Sequence, residues 1–104
     1  MSVTDLTYQI LVALADGDRH GYGIIKEIEE RAGSSAAPTT GALYLALQRM
    51  EAAGLVAAAQ TRPAGEDRRR RYYTITDAGR TMAQEESLRL AALVAQARSK
   101  SLLA

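Results

Sequence analysis

The chain has 104 residues, of which 47% are hydrophobic and 24% are charged, with a net charge of +1 and no cysteine. This length suits one domain with a small core, and the lack of cysteine excludes disulfides, thiolate metal sites and cysteine nucleophiles. The first residues lack a basic segment, and the apolar stretch 10–15 is too short to cross a bilayer. We therefore expect a soluble, cytoplasmic protein with no membrane partner.

Charge is unevenly distributed along the chain. Residues 1–56 hold seven acidic and four basic side chains, whereas residues 57–80 hold six arginines and three acidic side chains. Four consecutive arginines, Arg68 to Arg71, lead into residues 72–75, whose composition favours a strand. This local positive charge indicates a polyanion partner. The alternative is a solvated edge strand whose charges only discourage aggregation.

Two helices are predicted before residue 34. Hydrophobic spacing predicts the first over residues 4–15, with Thr4 or Asp5 as its cap. After a break, the second is predicted over residues 20–32, with Gly33 as its C-terminal cap.

A third helix is predicted from the Pro-Thr-Thr sequence at residues 38–40 to just before Gly54. One side carries hydrophobic residues at helical spacing, namely Leu43, Ala46, Leu47 and Met50. If that side faces the core, a rotation of 100° per residue places four residues opposite, namely Gly41, Tyr44, Leu45 and Gln48. Gln48 can read an adenine edge, and the helix start at Thr39 and Thr40 suits a phosphate. An ordinary solvated helix side is the alternative.

Residues 55–61 and 69–75 are predicted to form a hairpin, followed by a final helix from Asp77 to about residue 103. Strand alternation splits the arginines if Ile75 faces the core. Its side then holds Tyr73, Arg71 and Arg69, and the other side holds Tyr72, Arg70 and Arg68. Only two or three of the arginines should therefore reach phosphates from one pose.

The order of three helices, a hairpin and a helix predicts a mainly α fold with a small β-hairpin, a winged helix-turn-helix with a long C-terminal helix. In that arrangement the third helix enters the DNA major groove, and the hairpin, called the wing, lies on the DNA backbone. We assign residues 1–76 to a DNA-binding domain and residues 77–104 to a dimerisation helix that forms one compact unit with it.

The final helix would be about 40 Å long and would extend beyond a globule whose radius of gyration is ~11 Å. Its apolar side would be exposed unless the same helix of a second copy, together with the first helix, covered it. We therefore predict a homodimer with these interface residues: Leu6, Ile10, Met82, Leu90, Leu93, Val94 and Ala97.

No catalytic constellation is present in the sequence. His20 is the single histidine, and its position at a helix start suggests capping or packing. The carboxylates Glu27, Glu29 and Glu30 are spread around the second helix. We therefore predict no enzyme activity, no cofactor and no metal. The alternative to a DNA-binding function is a winged helix used for protein–protein interaction, as a module or adaptor without sequence-specific DNA binding.

Three blocks of sequence resemble the PadR family of bacterial transcriptional regulators. The blocks are residues 20–28, which begin HGYGII, residues 41–56, which begin GALY, and residues 71–80, RYYTITDAGR. They occur in order and at family-like spacing. The resemblance implies a winged-helix homodimer that binds a palindromic operator in double-stranded DNA. It also implies that the protein usually represses transcription and is often released by a small molecule.

The resemblance also implies roles for individual residues. It implies operator contacts at Thr39, Thr40, Gly41 and Tyr44, a backbone contact at Tyr22, and a wing formed by Arg70 with Arg68 and Arg69. The family tends to have Thr or Ser at the position of Ala42, so one polar contact is absent here. Some short members bind flat aromatic drugs at the dimer interface, where Tyr8 would be the available tyrosine. Ordinary packing of Tyr8 beside the last helix is the alternative.

Overall fold

The structure is a computed structural model and describes residues 4–59 and 70–104. Its elements are α1 (Asp5–Leu14), β1 (Arg19–His20), α2 (Gly21–Ala32), a 3₁₀ turn (Ser34–Ala36), α3 (Thr40–Ala52), β2 (Val56–Ala58), β3 (Tyr72–Ile75) and α4 (Asp77–Ser99). Four helices with a small antiparallel sheet confirm the predicted winged helix-turn-helix class. Residues Arg68 and Arg69 lie outside the described residues.

A side-chain cap starts each α-helix. The cap accepts a hydrogen bond from the backbone N–H three residues later, which satisfies a donor that the helix itself leaves unpaired. The four caps are Thr4, His20, Thr39 and Thr76. At the other end of α2, Gly33 has a φ of 89°, which glycine adopts without steric strain. Of the two caps predicted for α1, Thr4 and not Asp5 is the cap, and His20 takes the capping role that was one of its two predicted roles. The predicted end of α2 at Gly33 is confirmed.

The hydrophobic core lies where α1, α2 and α3 meet the sheet. Leu43, Leu47 and Met50 of α3 are buried in it, as the helical spacing predicted. Ile10 has 0% of its surface exposed and packs in the same cluster. It has no surface left for a second chain, so its predicted place at a dimer interface is corrected to the core of one chain.

The sheet has three strands in the order β1-β3-β2, all antiparallel. Strand β1 was not predicted, because two residues carry no periodic pattern. It pairs Arg19 with Tyr73 and His20 with Tyr72, so β3 becomes the central strand. Both Tyr72 and Tyr73 are buried. Tyr73 belongs to the core cluster and Tyr72 does not, in agreement with their predicted placement on opposite sides of the strand. The strand also begins at Tyr72, later than predicted, and leaves the described arginines before it.

One residue separates the end of β3 from the start of helix α4, which packs against α1. Its first half packs on the core through Met82 and Ala83. From Ala91 to its end at Ser99, every residue except Ala97 is exposed. The radius of gyration is 15.0 Å and the longest dimension is 51 Å, whereas a compact chain of this length has a radius near 13 Å. Helix α4 therefore protrudes, as predicted, although it ends before residue 103.

Candidate nucleic-acid interface

The outer face of α3 is exposed and polar at its start. Thr39 and Thr40 are both exposed, and the Thr39 hydroxyl accepts a hydrogen bond from the backbone N–H of Ala42 at 3.1 Å. Gly41 and Gln48 are also exposed, on the side opposite the buried stripe. The structure thus brings together on one surface the α3 residues that the sequence predicted to face outward.

Tyr44 belongs to the same face and leans on α2. The residue is 44% exposed, while its hydroxyl occupies the space that a side chain at Gly21 would fill. Gly21 is buried and therefore has to lack a Cβ for Tyr44 to adopt this position. The sequence gave no sign of this contact, because Gly21 and Tyr44 lie on different helices. It fixes the direction of an exposed aromatic side chain.

The first turn of α2 carries a second exposed aromatic residue, Tyr22, directly after Gly21 in the sequence. Tyr22 is 55% exposed and stacks on the His20 ring, with centroids 6.4 Å apart and planes 8° apart. The ammonium group of Lys26 lies 5.5 Å from the centre of the Tyr22 ring. Hydrogen bonding to Tyr22 and the charge of Glu29 raise the pKa of Lys26. Lys26 was missed by the sequence reasoning, although its position one helical turn after Tyr22 could have identified it.

The described arginines before β3 have different partners. Arg70 is exposed, and its Nη1 lies 2.9 Å from Nε2 of His20, at the same edge as Tyr22. Arg71 instead donates to the Glu51 carboxylate at 2.5 Å, and its guanidinium lies 5.3 Å from the centre of the Tyr73 ring. Burial raises the pKa of Tyr73, and the charge of Arg71 acts in the opposite direction. Arg71 therefore ties the wing to the end of α3, while Arg70 is directed toward the candidate surface.

The predicted dimer residues separate into two groups. Leu6 and Met82 pack against the core of their own chain, and Leu90 and Ala97 are partly buried. Leu93 is 53% exposed and Val94 is 43% exposed on the protruding half of α4. Both side chains are thus large, apolar and about half exposed in the described part of the chain.

Two apolar grooves lie beside the crossing of α1 and α4. The larger is about 720 Å³ and is lined by Leu11, Val12, Ile75, Ala83 and Leu88 among others. The smaller, about 290 Å³, includes Tyr8, whose hydroxyl is 2.7 Å from that of Ser87 on α4. This hydrogen bond agrees with the packing interpretation of Tyr8, and the tyrosine also borders a groove.

Other kinds of site are not found in the described part of the chain. Among residues 4–59 and 70–104, no group of three or more His, Cys, Asp or Glu side chains is placed to hold a metal ion. Within the same ranges, no helix has both the length and the apolar character needed to span a membrane.

Comparisons with known proteins agree with this geometry. The sequence pattern of the transcriptional regulator PadR-like family matches residues 10–85. A 37.1 kDa transposon protein of Streptomyces fradiae is 41% identical over 93 residues, which cover 89% of this chain and 25% of that protein. The chain thus spans about a quarter of the length of this curated relative.

Solved structures share the fold. A PadR family transcription regulator from Clostridium difficile superimposes with a TM-score of 0.79 at 24% identity, covering 92% of this chain and 97% of that one. The PadR protein of Bacillus subtilis, solved in complex with operator DNA, superimposes with a TM-score of 0.66 at 24% identity. That match covers 79% of this chain and 46% of the Bacillus protein.

Proposed function

Because the chain belongs to the PadR-like family of transcriptional regulators, whose members are not enzymes, we propose that it binds DNA sequence-specifically as a homodimer. The proposed target is a palindromic operator in double-stranded DNA, and the proposed outcome is ligand-responsive repression in the cytoplasm. One observation carries the proposal: Tyr44 on the exposed face of α3 contacts Gly21, the residue before Tyr22, and Arg70 contacts His20, on which Tyr22 stacks. The Bacillus PadR protein, which shares the fold, was solved with operator DNA.

The surface divides into a reading part and an anchoring part. On α3, Gln48 carries a side-chain amide able to pair with an adenine edge, and Tyr44 is held outward by its contact with Gly21. Thr39 and Thr40 lie where a helix N-terminus meets a phosphate. Arg70 supplies a positive charge at the wing, which positions the protein on the backbone without reading sequence. We propose that Arg68 and Arg69 add to this anchor.

The dimer follows from the protruding half of α4. Leu93 and Val94 are large, exposed and close together, and a second α4 packed on them would remove both from water. We propose that residues 77–104 join two copies in this way, while residues 1–76 form the DNA-binding part. Two copies related by a twofold axis would place their α3 helices about 34 Å apart, which fits half-sites one turn apart.

A small-molecule effector is proposed at the same interface. The grooves beside α1 and α4 are mostly apolar and lie next to the helix that joins the copies. A flat apolar ligand held there would change how the two α4 helices pack. Because each α4 is joined directly to β3, that change would alter the spacing of the two reading surfaces and lower affinity for the operator.

The experiment that tests the DNA-binding proposal is a titration of labelled duplexes from the region upstream of the protein's own coding sequence. Gln48→Ala should lose about 1–3 kcal/mol of its preference for the operator over random duplexes, while its affinity for random duplexes stays unchanged. Arg70→Ala should weaken binding to every duplex alike and lower the salt slope by about one unit.

The results distinguish DNA binding from the alternative function in protein–protein interaction and also test the role assigned to Gln48. If the wild-type protein shows no salt-sensitive affinity for duplex DNA, the regulator function is refuted. The interaction module or adaptor without sequence-specific DNA binding then remains. If both variants lose affinity uniformly, the protein binds DNA but the assignment of reading to Gln48 is wrong.

A further inference from the structure

Leu45 is an exposed leucine in the middle of α3. It is 47% exposed, whereas Leu43 and Leu47 on the same helix are 0% and 1% exposed and belong to the core cluster. A rotation of 100° per residue places Leu45 on the side of α3 opposite the buried stripe. The face of α3 that is proposed to meet DNA therefore carries an aliphatic side chain as well as polar ones.

Leu45 and Gln48 lie side by side on this face. Gln48 follows Leu45 by three residues, so the two side chains leave α3 about 60° apart around its axis. Gly41, one turn before Leu45, has no side chain, and a Cβ added there would meet nothing within 4 Å. Tyr44 instead leans on α2 at Gly21. Leu45 and Gln48 are therefore the long side chains closest to the centre of the outer face.

The chemistry of the major groove decides what a leucine can contact there. Base edges present hydrogen-bond donors and acceptors, and thymine adds an apolar 5-methyl group. A leucine pressed against a donor or acceptor removes its water without replacing the lost hydrogen bond, which costs free energy. Against a thymine methyl, the same side chain buries apolar surface on both partners. A leucine in the major groove therefore favours thymine at the position that it contacts and disfavours the other bases.

We propose that Leu45 is a specificity-determining residue that contacts the 5-methyl group of a thymine in each operator half-site. The proposal rests on the DNA-binding function above and adds a second base-reading residue to Gln48. Gln48 is suited to an adenine edge, and every adenine is paired with a thymine whose methyl group lies in the same groove. An A·T-containing half-site thus offers one helix both a polar and an apolar contact.

Replacement of thymine by deoxyuridine tests the proposal, because it removes the 5-methyl group and leaves base pairing unchanged. The probe is the duplex that the protein protects upstream of its own coding sequence, with deoxyuridine at one equivalent position of both half-sites at a time. Fluorescence anisotropy measures the affinity. We expect one of these duplexes to bind wild type about fifteenfold more weakly, which is about fourfold for each buried methyl group. If none of the substituted duplexes binds more weakly, the proposal is overturned.

Leu45→Ala tests whether this leucine is the partner of the methyl group. The position is exposed and alanine favours helices, so the circular dichroism of the variant should match that of wild type. The variant should bind the unmodified operator at least about tenfold more weakly. It should also be insensitive to the deoxyuridine that weakens wild type, because the methyl group no longer has a partner to lose. Leu102→Ala changes an exposed leucine beyond α4 and is the matched control, which should respond to both duplexes like wild type.

The outcomes distinguish this inference from the function on which it rests. If deoxyuridine weakens Leu45→Ala as much as wild type, another residue contacts the methyl group, and the proposal fails while DNA binding stands. Wild-type affinity of Leu45→Ala for the operator, or an equal loss on random duplexes, also refutes the reading role. If wild type prefers no upstream duplex over random DNA, the proposed sequence-specific function and this inference fail together.

Discussion

Gly79→Ala should destabilise the protein, although alanine favours helices more than glycine does. Gly79 lies in the first turn of α4, and an ideal Cβ there would come well inside 3.0 Å of the Leu55 carbonyl oxygen and 3.1 Å from Cγ1 of Ile75. That carbonyl accepts a hydrogen bond from the Thr76 backbone nitrogen at 3.1 Å. The added methyl group would therefore have to push α4 away from the segment that leads into β2.

The size of the effect follows from three contributions. Overpacking against backbone costs about 2 kcal/mol, and loss of the Thr76 N–H bond to Leu55 costs about 1 kcal/mol. The better helix propensity of alanine returns about 1 kcal/mol. The net loss is about 2 kcal/mol, which corresponds to a fall of about 10 °C in the melting temperature of a domain of this size.

Thermal unfolding followed by circular dichroism measures this change, at one fixed protein concentration because a dimer's stability depends on it. Gly41→Ala is the matched control, since Gly41 lies in the first turn of α3 and a Cβ there meets nothing within 4 Å. That variant should melt at the wild-type temperature or slightly above it. A Gly79→Ala protein as stable as wild type would show that α4 is not seated tightly against Leu55, and the reasoning would be refuted.

Two further predictions concern the wing and the assembly. Arg71→Ala should cost at most about 1 kcal/mol of stability and leave the salt dependence of DNA binding unchanged. Arg70→Ala should reduce that salt dependence. If both variants reduced it equally, the assignment of DNA anchoring to Arg70 and of structural support to Arg71 would be wrong. Leu93→Glu with Val94→Glu should give an 11.2 kDa monomer by light scattering, because each copy would bring two carboxylates into the buried interface. Leu102→Glu changes an exposed leucine beyond the end of α4 and is the control, which should remain a dimer. If the protein with both Leu93→Glu and Val94→Glu were still a dimer, the proposed interface would be refuted.

The sequence predicted the faces of α3 correctly because one helix carries both of them. A fixed rotation per residue links Leu43 and Leu47 in the core to Tyr44 and Gln48 outside, and no other part of the chain is needed for that inference. The helix starts were predictable for a similar reason. A hydroxyl cap such as Thr39 acts on the N–H three residues later, within a single turn.

The errors came where distant segments meet. Strand β1 covers one edge of β3, which the alternation of β3 residues could not reveal, and Ile10 was assigned to a partner chain because helical spacing gives a face but not its neighbour. The contact between His20 and Arg70 joins residues fifty positions apart. The contact between the Tyr44 side chain and Gly21 depends on how α2 and α3 cross. Such features follow from tertiary packing, and the hydrophobic periodicity of the sequence alone does not predict them.

The junction between β3 and α4 has a mechanical consequence. Thr76 is the single residue between the two elements, and it bonds to both residues that precede β2: its hydroxyl donates to the Gly54 carbonyl at 2.6 Å and its N–H donates to Leu55. The start of α4 is therefore held at the same place as the entry to β2, with one residue between it and β3. If α4 joins two copies as proposed, we expect a change in its tilt to change the orientation of β3 and of the proposed DNA-binding surface with it.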